Sequence, residues 1–250
     1  MSDIVDYIDV YNCSGKKYDN EPAIISLTSW RGRIETCSKT IFSLLKTCPG
    51  FHIVLVLSEE EFPLKENELP DDLTMLVDNE IIELLWVYKN YRSYKKVLFT
   101  MDKYRNVPVI SADDGCIYTM NYAKILYDLW LENPNKIISI KKFKGGGEAK
   151  FPCGGGGYGI LFPPFCFKNF GINCIKCFVG RMFENPNDDR FLGVLAGKMK
   201  IEWVWYSDII NKTIKPFEDI AAGGLSINKL YKAGTNWYFE KIIDVVLREG

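Results

Sequence analysis

The chain has 250 residues, of which 47% are hydrophobic and 25% charged, with 31 basic against 32 acidic side chains. That length supports a substantial core in one large domain or two small ones, and the near-neutral balance gives no general electrostatic reason to expect a nucleic-acid partner. No apolar run approaches the ~20 residues that span a bilayer, and the start, "MSDIVDYIDVYNCSGKK", carries acids without a continuous apolar core, so neither a transmembrane segment nor a secretory signal is expected.

The first element is "AIISL" (23–27), an apolar run suited to a strand buried on both faces. "TSWRGR" breaks it. Ile34, Cys37, Ile41, Leu44 and Leu45 then recur at spacings of three and four, which predicts an amphipathic helix over 34–47 that "CPG" stops. "HIVLVL" (52–57) is a second strand, and the polar, proline-punctuated stretch 58–73 a surface loop or short helix. "EIIELLWVY" (80–88) reads as a third strand. Tyr94, Val97, Leu98 and Met101 share one helical face, and "VPVIS" (107–111) is a fourth strand. This alternation predicts an α/β fold with a mostly parallel sheet and helices on both faces.

A further helix is expected over "NYAKILYDLWLEN" (121–133) and a strand over "KIISIKKF" (136–143). Seven of the 20 glycines then fall between 145 and 157, just before "YGILFPP", which reads as another strand. Glycine opens backbone angles closed to other residues, and a loop of this kind on a rigid scaffold is either a connector or part of a site. Residues 185–206 combine a turn, two acids, a helix carrying Phe191, Leu192, Leu195 and Met199, and an apolar strand; 234–249 reads as a C-terminal helix. With no repeat and no convincing linker, one domain over 1–250 is the economical organisation.

Eight cysteines raise the question of disulfides, but Cys37, Cys48, Cys116 and Cys166 lie in apolar segments of a chain that is neither small nor signalled, so reduced thiols in a cytoplasm are expected. Cys174 and Cys177 have metal-like spacing, yet a structural zinc wants a second pair or histidines, and His52 is the chain's one histidine. His52 is expected to be a strand residue rather than a ligand or base.

Ligands bind outside the carboxyl ends of strands in open α/β sheets. Three polar clusters fall there, "TSWRGR", "SEEEF" and "ADDG". Asp113 and Asp114 side by side suit a hard divalent cation, which prefers oxygen ligands and bridges carboxylates to phosphates. A helix-capping turn explains the same two residues equally well. Asp188 and Asp189 have a parallel alternative as first-turn acids that favour a helix dipole. Arg31, Arg33, Lys95 and Lys96 are cations able to meet a diphosphate; Trp30, Tyr91 and Tyr94 can stack on a base or sugar, or simply pack.

Taken in order, "IISLTSWRGRIETCSKTIFSLL", "IVLVLSEEEFP", "LP", "YRSYKKVLFTMDKY", "VISADDGCIY", "GGGYGILFPP" and "DDRFLGVLAG", spanning about 22–205, resemble bacterial glycosyltransferases of the GT-A fold that build capsular or lipopolysaccharide chains. The resemblance implies a single Rossmann-like domain with a nucleotide-sugar-binding half at 22–118, an acceptor-side half at 119–250, and hexosyl transfer to a glycan or lipid-linked glycan. It places the DXD-type motif of the family on "ADDGCIY", with Asp113 and Asp114 on Mn²⁺ or Mg²⁺. Thr28, Ser29, Arg31, Arg33, Tyr94, Lys95, Asp113, Gly155 and Gly156 fall on the donor side, and Asp188 or Asp189 takes the acceptor's proton. A lipid-linked acceptor can be met at the inner face of a membrane without spanning it. Gly115 departs from the family pattern, standing where a third acid is usual, and no histidine follows His52 to replace it. Two other readings use the same acids: a nucleotide or sugar-phosphate hydrolase or nucleotidyltransferase, and a relative that binds nucleotide or glycan without turnover.

Overall fold

In a computed structural model, residues 22–143, 151–167 and 188–216 are described. The expected C-terminal helix, Cys174 with Cys177, and Gly145 to Gly147 lie outside them.

The chain opens with β1 (Ile24–Thr28), α1 (Ile34–Thr47) and β2 (His52–Ser58). The α1 bounds are those its apolar spacing predicts, because Ile34, Cys37, Ile41, Leu44 and Leu45 all point inward. α2 (Asp71–Asp78) starts at the end of the stretch expected to be surface loop or short helix, 58–73, and runs five residues past it. Leu73 and Leu76 are fully buried, so α2 is the crossover between β2 and β3 (Glu83–Val87) rather than surface decoration. α3 (Lys95–Lys103), β4 (Val109–Ser111), β5 (Cys116–Tyr118) and α4 (Tyr122–Glu132) follow.

The single strand expected over 136–143 is two. β6 (Ile137–Ser139) belongs to the main sheet, whereas β7 (Lys142–Phe143) pairs with β8 (Cys153–Gly154) in a separate ribbon. The Ser139 hydroxyl donates to the Lys141 carbonyl at 3.1 Å. That local bond turns the chain, and two adjacent lysines leave the interior. β9 (Ile160–Phe162), α5 (Asp188–Lys198), β10 (Trp203–Trp205), the single-turn α6 (Ile210–Thr213) and β11 (Ile214–Pro216) complete the described elements.

The main sheet has the order β10-β6-β9-β4-β1-β2-β3. All its pairings are parallel except those of β9, which runs against β4 and β6. Alternate residues of β1 and β2 feed two cores: Ile25, Leu27, Ile53 and Leu55 pack with α1, α2 and α4, while Ile24, Val54 and Val56 pack with α3 and α5. Helices therefore cover both faces, as expected of a mostly parallel α/β sheet. β5 and β11 form an antiparallel ribbon apart from that sheet. Cys37, Cys48, Cys116, Cys153 and Cys166 are free and buried. Among the described residues, no helix is long and apolar enough to cross a membrane.

His52 is a strand residue with a structural partner. Its Nε2 lies 2.9 Å from Glu83 Oε2, Lys103 Nζ lies 2.6 Å from Oε1, and the Tyr104 hydroxyl donates to Oε2. Burial by itself would raise the pKa of Glu83, but the bonds from His52, Lys103 and Tyr104 outweigh it and hold the group down at about 2. A carboxyl whose folded pKa is lowered stabilises the fold above its ordinary 4.5 and loses that contribution as pH falls toward 2. The contribution is at most about 3 kcal/mol, reduced by the screening that half-exposed Lys103 permits. Glu83→Gln is therefore expected to lower the urea midpoint at pH 7, with the gap to wild type closing between pH 4.5 and 2. A gap of constant size across that range would count against the network.

Candidate active site

The carboxyl ends of β1, β2, β4, β6 and β10 lie along one edge of the sheet. Because β9 is antiparallel, its beginning lies at that edge too: Leu161 pairs with Ile110, and Phe162 with Val109 further down. The described glycines just before β9 are thereby delivered to the end of β4. Ser111 stitches the two together, its hydroxyl donating to Gly156 O at 3.1 Å and accepting from Ile160 N at 3.1 Å. Tyr118, fully buried and stacked on Tyr122, accepts from the Asp113 N–H at 3.0 Å and donates to Gly157 O at 2.9 Å. Burial holds its hydroxyl well above the usual phenol range, so it stays a donor.

The two aspartates after β4 have different fates. Asp114 is buried, with Oδ2 accepting from Ser29 Oγ at 2.7 Å and Oδ1 from Arg33 Nη1 at 2.9 Å. Burial raises its pKa and prevails over the opposing pull of Arg33 and Ser29. Asp113 places Oδ1 2.6 Å from Lys96 Nζ, while its side chain is 42% exposed. Among the described residues, no partner is assigned to its Oδ2.

Lys96 joins this group to a distant one. Its ammonium, only 5% exposed, also lies 3.1 Å from Asp188 Oδ2, in a geometry that makes an ion pair but not a directed hydrogen bond. Burial works against the charge, yet the carboxylates of Asp113, Asp188 and Asp189 prevail and hold its pKa well above the ordinary value. The neighbouring Asp189 accepts the Gly156 N–H at Oδ2, 3.0 Å away. Burial first, then the Asp188 charge, push Asp189 up to about 7, against the pull of Lys96.

Close approach explains two of the glycines. A Cβ on Gly156 would lie 2.7 Å from Asp189 Oδ1 and 3.0 Å from Lys96 Nζ, and one on Gly157 would lie 2.6 Å from Asp113 Oδ2. α5 is locked to the same segment: Arg190 Nη1 donates to Phe151 O at 2.7 Å, and Gly193 sits against Pro152 and Cys153 with no room for a side chain.

The other expected site residues are placed less centrally. Thr28 Oγ1 donates to Val56 O at 2.6 Å, bonding β1 to β2. Arg31 reaches the loop after β2, where it donates to Glu61 O and lies 2.6 Å from Glu68 Oε1. Lys95 is buried against Glu61 Oε2 at 3.0 Å and Asn90 Oδ1 at 3.2 Å; burial lowers its pKa despite Glu61. Tyr94 is 3% exposed and packs edge-on against Phe191. Tyr91 packs on Phe99, whereas Trp30 remains 44% exposed. Gly155 donates its N–H to Lys141 O and abuts the Phe143 ring. Asp113, Asp114, Ser29, Arg33, Gly156, Asp188 and Asp189 are thus brought together. Lys96, expected from the sequence as a cation for a diphosphate, instead sits among these acids, and Ser111, Tyr118 and Gly157 belong with them. "SYKK" gave a signal for a lysine; nothing marked Ser111.

Among the described residues, no three His, Cys, Asp or Glu side chains are grouped as a ready metal cage. The four aspartates nevertheless exceed Lys96 and Arg33 by two charges when all are ionised. Such a site repels an anion unless a cation accompanies it. Mg²⁺-type ions bind through one or two carboxylates plus substrate phosphates and keep several waters, and Asp113 Oδ2 fits that requirement.

No protein-family model matches this chain, and neither does any curated protein. Among solved structures it is similar to a mannosyltransferase, PcManGT, from Pyrobaculum calidifontis in complex with GDP-Man and Mn²⁺, with a TM-score of 0.47 and 11% identity over 99% of this chain and 82% of that one. It is also similar to the glycosyltransferase GlyE of Streptococcus pneumoniae TIGR4, with a TM-score of 0.48 and 13% identity over 92% of this chain. The apo form of GlyE gives 0.44 and 13% over 74%. The chain spans 63% and 45% of the two GlyE chains, less than two thirds of either. Likeness at this level carries no weight for chemistry.

Proposed function

We propose that the chain is a glycosyltransferase that moves a hexosyl group from a nucleotide-diphosphate donor to a hydroxyl of a glycan or lipid-linked glycan, with Mn²⁺ or Mg²⁺ on the donor. The observation that carries this reading is a convergence. Asp113 and Asp188, 75 residues apart in sequence, meet on Lys96 at the carboxyl edge of the sheet, and Asp189 beside them accepts the Gly156 N–H. The sequence resemblance to GT-A glycosyltransferases runs through the same segments.

The roles follow from the environments. Asp113 Oδ2 is the oxygen proposed to hold the cation, since both Asp114 oxygens already accept bonds from Ser29 and Arg33. When bound, a divalent ion stabilises the negative charge that gathers on a departing diphosphate. Arg33, anchored by Asp114, is the first-loop cation placed at the acids and is proposed to face the diphosphate. Arg31, Lys95 and Tyr94 support the walls through Glu68, Glu61 and Phe191. Asp189, raised to about 7, takes a proton from the acceptor hydroxyl near neutral pH. The glycine backbone holds Asp189 through the Gly156 N–H and excludes bulk from the donor side. In this scheme 22–118 binds the donor and the later half supplies the base and the acceptor side.

Thermal melting with UDP, GDP, CMP and dTDP, each with Mn²⁺, Mg²⁺ or EDTA, tests the donor site. One nucleotide is expected to raise Tm only with a metal, by mass action on the native state. No shift with any nucleotide would remove the donor-site reading.

A further inference from the structure

The ammonium of Lys96 stands where two carboxylates face one another. It is 2.6 Å from Asp113 Oδ1 and 3.1 Å from Asp188 Oδ2, and buried. The stem is fixed at its base, since the Ser26 hydroxyl donates to the Lys96 carbonyl and contacts Thr100 Oγ1 at 2.6 Å. The Gly156 backbone closes over the other end, so tightly that a Cβ there would lie 3.0 Å from Nζ. Lys96 is therefore a buried charge held between two carboxylates.

A hard divalent ion would use the same carboxylate oxygens, at the ~2.0–2.1 Å that Mg²⁺ requires. An ammonium holds its oxygens farther off, near the ~2.7–2.9 Å of a charge-assisted hydrogen bond. Filling the slot with lysine thus does two things. It neutralises Asp113 and Asp188 in part, and it keeps them too far apart to close on a small dication. Gly115 removes one acid from the run, and Asp114 is committed to Ser29 and Arg33. Asp113 Oδ2 is then the oxygen left for an exchangeable ion.

We propose that Lys96 is a positioning residue that serves as a resident cation: it occupies the slot between Asp113 and Asp188 and restricts the acidic cluster to one weakly held, donor-dependent divalent ion. This rests on the carboxylate assignment above, though not on sugar transfer itself.

The test uses Mn²⁺ alone, with free Mn²⁺ read by electron paramagnetic resonance, on the wild type and Lys96→Met. Methionine keeps the length of the stem and removes the charge. The variant is expected to bind Mn²⁺ without nucleotide at least about tenfold more tightly, because Asp113, Asp188 and Asp189 lose their counter-charge. Its Tm is expected to rise with Mn²⁺ while that of the wild type stays put. Adding Asp188→Asn to the variant should remove the gain. Equal Mn²⁺ affinity in wild type and variant overturns the proposal, including the case in which the variant is merely less stable. Micromolar Mn²⁺ binding by the nucleotide-free wild type also overturns it, whether or not the variant folds. If no nucleotide shifts the wild type but Lys96→Met gains Mn²⁺, the donor-site reading fails and with it the donor dependence of the ion, while Lys96 as resident cation between Asp113 and Asp188 stands.

Discussion

Asp189→Asn is expected to lower the turnover of sugar transfer by roughly 10²- to 10⁴-fold, the range for loss of a positioned general base. Asparagine can still accept the Gly156 N–H, so the glycine segment keeps its anchor and the loss should appear in kcat rather than KM. The pH profile gives a second readout. A carboxyl raised to about 7 is protonated below that pH and cannot accept a proton, so the wild-type rate should fall as pH drops through 7. The residual rate of the variant should lack that limb. Stability has the opposite sign. Between the ordinary 3.8 and 7 the folded state binds the Asp189 proton more tightly than the unfolded chain does, so this group's contribution declines as pH rises through that window. Full turnover in Asp189→Asn, or an unmoved acid limb, would move the base elsewhere.

The second large effect separates the two adjacent aspartates. Asp113→Asn is expected to abolish the metal-dependent part of the nucleotide thermal shift and to lower kcat/KM by about 10³, since in the proposed scheme several kcal/mol of charge stabilisation would pass through that carboxylate. The fold should lose less than with Asp114→Ala, because Asp113 is 42% exposed and the buried Lys96 keeps Asp188 as a counter-charge. Asp114→Ala should do the reverse. It strands Arg33 and Ser29 around a buried hole, and breaking a buried pair costs about 3–5 kcal/mol. Urea unfolding and nucleotide melts on the same two proteins measure both quantities. If Asp114→Ala is stable and loses the metal response while Asp113→Asn keeps it, the roles are exchanged.

What the sequence makes legible is whatever repeats along the chain. α1 follows directly from its apolar spacing, and β1, β2 and β4 from short buried runs bounded by polar breaks. The edge at which the acids collect follows from the alternation of strands and helices. What depends on rotation or on distant contact is not legible. Lys95 and Lys96 are equivalent in composition, but successive helical residues point about 100° apart. One turns to Glu61 and the other to Asp113, and no pattern in "SYKK" says which. Asp114 resembles a metal ligand until Ser29 and Arg33, more than 80 residues earlier, are seen to occupy it. Tyr94 looks available for stacking because burial against Phe191 depends on a helix nearly a hundred residues later. The pairing of β5 with β11 is hidden for the same reason.

The reversed direction of β9 gives the two rims of the sheet unequal freedom to vary. The other strands of the sheet enter from the far rim, so a residue added between Tyr104 and Pro108 would swell that rim and leave the mouth untouched. A residue added between Gly157 and Ile160 would land in the mouth itself, where Gly159 already adopts φ +101° with the Tyr122 ring pressed to its open side. A lineage varying this scaffold, or an engineer reshaping it, has room for added residues where β4 begins, whereas the entry to β9 admits exchange more readily than insertion.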